Sequence, residues 1–464
     1  MQSAGQKWVP EIATHDGPIY LSISGALAHD IESGRLRPGD RLPPQRDLAE
    51  TLGVDLGTVT RAYSEARRLG LIDAAGRRGS FVRDGTNPKI LAEIAPFDTG
   101  MNLPPIPANS SLADRYSAAI QSILQGDAAA NRLQYQPSGG APADRQAGAG
   151  WLSEQGMEAS EDTVLVVSGA QTGLHAIANS LLEEGETVCC GPSVYPGWLS
   201  ICRRRKLQIA PLAADEHGID PESFSRACTT SDIRALYTVP TNDNPTTATL
   251  PQDRRERIVA IAREHDVAII EDAPYCSLAT DRLPSFAQLA PERTWHVSSL
   301  SKIISPALRI AYLRAPTLRE ALLLTADAHE TTIMPPPLNM AACTQWLLDG
   351  SWRELVNEIR TECLARQEIV DGILPPGSYR AARAGYHLWI PVKEGTSPFE
   401  LVNALQPLGV SAVSGEAFWA QPGIGERAIR LSIGGSLGRD RLERALTMLD
   451  AMLHHRAGRA SPLV

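Results

Sequence analysis

Lys302 closes the run Ser299-Leu300-Ser301-Lys302, directly after a strand-like apolar stretch over 295–298. A lysine amine attacks carbonyl groups and carries protons, provided that apolar or cationic surroundings suppress its charge. A single lysine in a loop is more often solvated surface, so its neighbours decide. Upstream, the apolar run 267–270 ends in Glu271-Asp272-Ala273-Pro274-Tyr275. Two acids after a buried strand are costly unless each finds a partner. A helix N-cap is the commoner fate of a lone Asp in such a place. A third stretch, 163–167, runs into Ser168-Gly169-Ala170-Gln171 and then an apolar helix expected over 172–182. Small residues at a strand-to-helix turn leave backbone N–H groups that can hold a phosphate. Many turns share that pattern, so it counts only beside the other two.

These groups need a scaffold. From residue 98 to about residue 453, strand-like and helix-like runs alternate, which predicts a mostly parallel α/β sheet. Open parallel sheets bind ligands outside the carboxyl ends of their strands. Four strands, expected over 163–167, 233–239, 267–270 and 295–298, deliver polar residues there. The second leads to Pro240-Thr241-Asn242-Asp243-Asn244-Pro245-Thr246-Thr247. A connector is expected over 85–97, the large domain over 98–455 and a loose tail over 456–464.

The other end of the chain carries different chemistry. Ile19, Ile23, Leu27 and Ile31 recur at spacings of four, as in an amphipathic helix. Short helices are expected over 46–52 and 56–69, around the turn Gly53-Val54-Asp55. That is a helix-turn-helix pattern. Residues 71–82, with Gly76 and Gly79 in the middle, read as a two-stranded wing, and the whole module spans 16–84. The helix after Asp55 would lie in a DNA major groove, with Thr58, Thr60 and Arg61 on its outer face. Arg46 opens the preceding helix, within reach of a phosphate. Arg77, Arg78 and Gly79 form the wing tip, where a small residue allows close approach and arginines could enter the minor groove. For any one of these arginines, a solvated basic face is the alternative.

Composition bounds the function. The chain has 464 residues, is 43% hydrophobic and 21% charged, and carries a net charge of -9. Those are the values of an ordinary soluble globular protein of about three domains. No apolar run reaches the roughly 18 residues that span a bilayer, and the N-terminus lacks a signal-peptide core. A cytoplasmic protein with no membrane partner is expected. The 7 cysteines include no C-x-x-C pair, and Cys189 and Cys190 are adjacent. Reduced structural thiols and no metal site follow. Between residues 35 and 83, 10 arginines face 6 acidic residues, a basic segment inside an acidic chain. That local patch suits DNA while the remainder keeps the molecule soluble.

Two resemblances join these readings. Residues 18–82, including PGDRLPPQRDLA and TVTRAY, resemble a GntR-type winged helix-turn-helix. The run SSLSKIISPALRIAYL, with its Ser-x-Ser-Lys, Pro306 and Arg309 spacing, resembles the lysine segment of a fold type I aminotransferase. A chain with both is similar to the MocR subfamily of GntR regulators. The resemblance implies an N-terminal α+β winged helix and a C-terminal α/β aminotransferase fold with a small C-terminal subdomain. It implies pyridoxal 5'-phosphate (PLP) as cofactor, attached through Lys302. Asp272 would hold the pyridine nitrogen protonated, which makes the ring an electron sink. Tyr275 and Asn244 would bond the phenolic oxygen, and Tyr195 would stack on the ring. Ser299, Ser301 and Arg309 match the phosphate ligands, beside the Gly169, Ala170 and Gln171 turn. Tyr135, in Leu-Gln-Tyr-Gln-Pro-Ser-Gly-Gly, matches a residue that reaches the neighbouring subunit's phosphate, which implies a homodimer. Arg430, in Ala-Ile-Arg-Leu-Ser-Ile-Gly at the end of a strand-like run, matches the arginine that pairs a substrate α-carboxylate. Three positions depart from the family pattern. Thr247 and Ala311 stand where relatives carry glycine, and Arg77-Arg78-Gly79-Ser80-Phe81 replaces Gly-Arg-Gly-Thr-Phe at the wing.

Three functions are open at this point. The first is a regulator that binds a double-stranded operator and senses an amine, an amino acid or PLP itself. The second is a working aminotransferase carrying a DNA-binding module. The third, a large domain used only for dimerisation, predicts decay of the cofactor residues, and they are intact. A purely metabolic enzyme has no use for a groove-reading helix, which favours the first.

Overall fold

The computed structural model describes residues 8–10, 19–37, 39–68, 71–74, 79–82 and 100–454. The chain divides into two units between Phe97 and Asp98. The connector expected over 85–97, the expected tail, Leu69, Gly76, Arg77 and Arg78 lie outside the described residues.

The first unit holds helices α1 (Ile19–Glu32), α2 (Gln45–Leu52) and α3 (Leu56–Arg68), then strands β1 (Ile72–Ala74) and β2 (Ser80–Val82). α2 stops at Gly53, whose φ of 64° is free of Cβ strain in glycine. Asp55 Oδ1 accepts from the Gly57 N–H at 2.8 Å, the side-chain cap that starts α3. Ile23 and Leu27 of α1, Leu48 of α2 and Val59, Ala62 and Ala66 of α3 share one core with Ile72 and Val82. Ile19 is the exception in the predicted stripe: at the first turn of α1 it is 50% exposed. The Tyr63 hydroxyl, buried in that core, donates to the Pro43 carbonyl at 2.9 Å. β1 and β2 pair antiparallel, with Ile72 opposite Val82.

The second unit is built on a seven-stranded sheet. Its strands are β3 (Val164–Val167), β4 (Thr187–Cys190), β5 (Gln208–Pro211), β8 (Ile233–Thr238), β9 (Ala268–Asp272), β10 (Thr294–Ser299) and β11 (Ala311–Arg314). A short hairpin, β6 (Ala214–Asp215) and β7 (Gly218–Ile219), stands apart from it. The order is β3-β11-β10-β9-β8-β4-β5, and only β11 runs antiparallel to its neighbours. β3, β9 and β10 are buried throughout, as continuous apolar runs in a covered parallel sheet require. A smaller antiparallel sheet follows, in the order β12 (Arg380–Ala381), β13 (His387–Pro391), β15 (Ala428–Ser432), β14 (Ser411–Ser414).

Three differences from expectation bear on the site. Glu271 and Asp272 belong to β9 itself, because the parallel ladder continues through them to His296 and Val297 of β10. The helix after β3 begins at Ala170, since Gly169 already occupies its cap. Arg430 sits in the middle of β15, opposite Trp389 and Val413. All seven cysteines are free thiols. Among the described residues no group of side chains is arranged to hold a metal ion, and no helix is long and apolar enough to cross a membrane.

Candidate cofactor site and nucleic-acid interface

Lys302 follows β10 in a tight turn, and its Nζ donates to the Asn102 carbonyl at 2.6 Å. Burial, and then the Arg430 charge, push its pKa down to about 8. An amine of that kind keeps about a tenth of its population neutral and nucleophilic at pH 7, far more than a surface lysine does. The Tyr386 hydroxyl donates to the Lys302 carbonyl at 2.8 Å and holds the turn from the other side.

The two acids of β9 have separate partners. Glu271 accepts the Phe286 and Ala287 amides at 3.0 Å each and lies 2.8 Å from His296 Nδ1. Burial alone would raise its pKa, but His296 and these amides outweigh it and lower it. Glu271 is thus the acid that takes backbone amides, the role open for either carboxylate. Asp272 is not. Its Oδ2 accepts from the Tyr237 hydroxyl at 2.9 Å, and its Oδ1 is buried without a hydrogen-bond partner. Burial pushes its pKa up to about 6. Tyr237 is held by stacking on Trp198, with ring centroids 4.5 Å apart and planes 6° from parallel.

A third cluster surrounds the β3 turn. Gly169 has a φ of +88°, and a Cβ there would lie 2.5 Å from Arg309 Nη2. Only glycine fits at that close approach. Arg309 Nη2 donates to the Ser168 carbonyl at 3.2 Å, which places a guanidinium beside the N-terminus of the helix Ala170–Leu181. Ala170 and Gln171 form its first turn, and Gln171 Nε2 donates to the Gly197 carbonyl at 3.1 Å. Ser299 Oγ accepts the Ser301 amide at 3.1 Å. Ser301 Oγ is a second buried polar atom without a partner.

The remaining expected residues converge on the same place, with one exception. Tyr195 precedes the helix Pro196–Arg205, and its phenol is pushed up by burial and by Asp272. The Tyr275 ring is 1% exposed and lies 5.6 Å from the Tyr386 ring. Asn244 Oδ1 accepts from Arg430 Nη1 at 3.3 Å. The Arg430 guanidinium also donates to the Gly100 carbonyl and lies 5.2 Å over the Phe418 ring. Tyr135 is the exception, at 79% exposed. Sequence reasoning missed Asn102, His387, Tyr237, Tyr386 and Ser432. None belongs to a motif: Tyr237, His387 and Ser432 enter on strands β8, β13 and β15, Tyr386 directly precedes β13, and Asn102 lies in a segment bonded to β13 and β15.

In the first unit Arg46, Thr60 and Arg61 are exposed and Thr58 is half-buried. Thr60 Oγ1 lies 3.0 Å from Gln45 Oε1 and 2.9 Å from the Leu56 carbonyl, so its hydroxyl ties α3 to α2. Gly79 has a φ of +106°, and a Cβ there would sit 3.4 Å from Arg41 Nε. Arg41 pairs with Phe81 of β2 through its backbone and is exposed. It adds a cation at the wing that the sequence reading left out.

Comparison with known proteins agrees with both halves. Residues 19–82 match the family "Bacterial regulatory proteins, gntR family", and residues 103–435 match "Aminotransferase class I and II". The chain is 27% identical over 451 residues to the uncharacterized HTH-type transcriptional regulator YdeF of Bacillus subtilis, covering 96% of each. It is 26% identical to the HTH-type pyridoxine biosynthesis transcriptional regulator PdxR of Corynebacterium glutamicum, covering 87% of this chain and 90% of that one. The solved structure of LysN, the alpha-aminoadipate aminotransferase of Thermus thermophilus, complexed with N-(5'-phosphopyridoxyl)-L-leucine, superposes with a TM-score of 0.68. Identity is 25%, over 85% of this chain and 98% of that one. PLP is the cofactor of this domain, and the buried, unpartnered Asp272 Oδ1 and Ser301 Oγ fit a group that brings a ring nitrogen and a phosphate. With a GntR helix-turn-helix joined to a class I and II aminotransferase domain, the chain belongs to the MocR-type GntR regulators.

Proposed function

We propose that this chain is a PLP-dependent transcriptional regulator that binds operator DNA through residues 16–84. The domain over 98–455 senses an amine, an amino acid or PLP itself, and 85–97 connects the two. The observation that carries the reading is the Lys302 amine. It is half-buried beside Arg430 with its pKa lowered to about 8, in a chain that also holds a complete helix-turn-helix.

Bound PLP supplies an electron-withdrawing ring for an amine ligand. The protein's own residues do the rest. Asp272 Oδ1 would accept a hydrogen bond from the protonated ring nitrogen and keep it charged, while Tyr237 keeps Oδ2 occupied. The Ala170 and Gln171 amides, Ser299, Ser301 and Arg309 bind the phosphate, an anion site at a helix N-terminus. Tyr275 and Asn244 bond the phenolic oxygen and Tyr195 covers the ring. Lys302 would hold the cofactor through Nζ, and its amine, when free, could take or return a proton there. Arg430 exchanges the Gly100 carbonyl for a ligand carboxylate, a stronger charge-assisted pair.

The working assembly is a homodimer in the cytoplasm. Tyr135 and Leu133, 79% and 61% exposed, are large side chains that a second copy would cover. Two copies suit paired half-sites on DNA. Arg46, Thr58, Thr60, Arg61, Gly79 and the wing arginines 77 and 78 make the operator contact. The test is operator binding by the full-length protein with and without PLP, and with PLP plus single amino acids. Binding that changes with ligand supports regulation. Steady amino-group transfer with no operator affinity would favour the enzyme instead.

A further inference from the structure

Asn102 lies just past the connector, and it is 2% exposed. Its Oδ1 accepts from Ser432 Oγ at 2.9 Å. Its Nδ2 meets the Tyr275 hydroxyl at 3.1 Å and His387 Nδ1 at 3.0 Å. Its carbonyl accepts from Lys302 Nζ at 2.6 Å.

His387 sets the direction of these bonds. Its Nε2 lies 3.0 Å from the Asp243 carbonyl, which can only accept, so Nε2 carries the proton. Burial, with the Arg430 and Lys302 charges, outweighs that bond and pushes the ring's pKa down to about 3, so it stays neutral. Nδ1 is then an acceptor, and the Asn102 NH2 must face it. The second hydrogen of that NH2 goes to the Tyr275 oxygen. Register explains the convergence: His387 of β13 stands directly opposite Ser432 of β15, so both side chains share one face. A phenol whose oxygen accepts a hydrogen bond donates its own proton more strongly, because bonds in a chain polarise one another.

We infer that Asn102 is a positioning residue of the cofactor site. Its amide aims and polarises the Tyr275 hydroxyl, and its carbonyl holds the Lys302 amine, so the segment that receives the connector is bonded to the groups that handle PLP. Gly100, two positions earlier, is bonded to Arg430, which extends the tie to the carboxylate arginine. The inference rests on the cofactor reading above, but not on DNA binding.

The test uses full-length protein loaded with PLP, and reads the pH titration of the cofactor's visible absorbance band. Besides Asn102, Tyr275 faces Asp272, Arg430, Tyr195, Tyr386 and His387, and all of these stay in place. Asn102→Ala weakens Tyr275 as a donor to the phenolic oxygen. The band's midpoint should rise by about half a unit to one unit, the equivalent of one neutral hydrogen bond. In a Tyr275→Phe background the same substitution should add no shift, since the two act through one bond. Asn102→Ser, which leaves a smaller void, is read in the same way if the alanine variant folds poorly. Hydrogen exchange over residues 100–106 should also differ between PLP-free and PLP-loaded wild type by at least about fivefold, and by less in the variant. No shift, an equal shift without the Tyr275 hydroxyl, or exchange indifferent to PLP overturns the inference. Loss of operator binding alone would count against the regulator reading and leave this result standing.

Discussion

At the scale of single residues, the site depends on charges kept in states that water would not favour. Lys302 is mostly protonated below pH 8 and mostly neutral above it. Attachment of PLP needs the neutral amine. PLP uptake by cofactor-free protein should therefore slow by about tenfold per pH unit below the midpoint and level off above it. A rate that keeps climbing to pH 10 would mean an ordinary exposed lysine. Lys302→Ala should abolish the borohydride-reducible mass addition; the same adduct on the variant would place the attachment elsewhere. Arg430 makes a separate prediction. Arg430→Ala should keep PLP and operator binding but lose the response to an amino-acid effector. A response equal to wild type would mean that the effector lacks a carboxylate, or that PLP itself is the signal.

Secondary structure decides which residues can meet. Gly169 joins β3 to its helix at a φ of +88°, with Arg309 where a Cβ would go, so Gly169→Ala adds both a backbone strain of about 1–3 kcal/mol and a displaced guanidinium. PLP affinity should fall while the operator interaction is unchanged; unaltered PLP affinity would remove the turn from the phosphate site. These elements were legible in the sequence because each ends in a motif: Ser168 to Gln171, Asn244, Asp272 to Tyr275, Ser299 to Lys302. The same holds for α2 and α3, announced by Gly53 and by a 3.6-residue period. What could not be read was long-range. Asn102 meets His387 and Ser432 only because residues 100–102 run beside β13 and β15. Tyr237 was hidden inside an apolar strand, where nothing marks one hydroxyl as the partner of Asp272. The extents of β9 and β15 were misjudged because charged residues look like strand ends, whereas Glu271, Asp272 and Arg430 each find partners within the sheet.

At the scale of the whole molecule, the chain combines a basic reader of DNA with an acidic body. Operator affinity should fall steeply as salt rises, because each phosphate contact releases counterions. Arg61→Ala should lower affinity and flatten that slope without changing PLP content; equal affinity would take Arg61 off the contact surface. The central claim is that one chain couples cofactor chemistry to DNA binding. The most direct measurement is operator affinity of the full-length protein at fixed salt, in three states: without PLP, with PLP, and with PLP plus an amino acid that shifts the cofactor's absorbance. Coupling between two sites in a protein is usually about fivefold or more. The account predicts a change of at least that size between two of the states, and its loss in Lys302→Ala. Identical affinity in all three, with absorbance showing the sites filled, would contradict it.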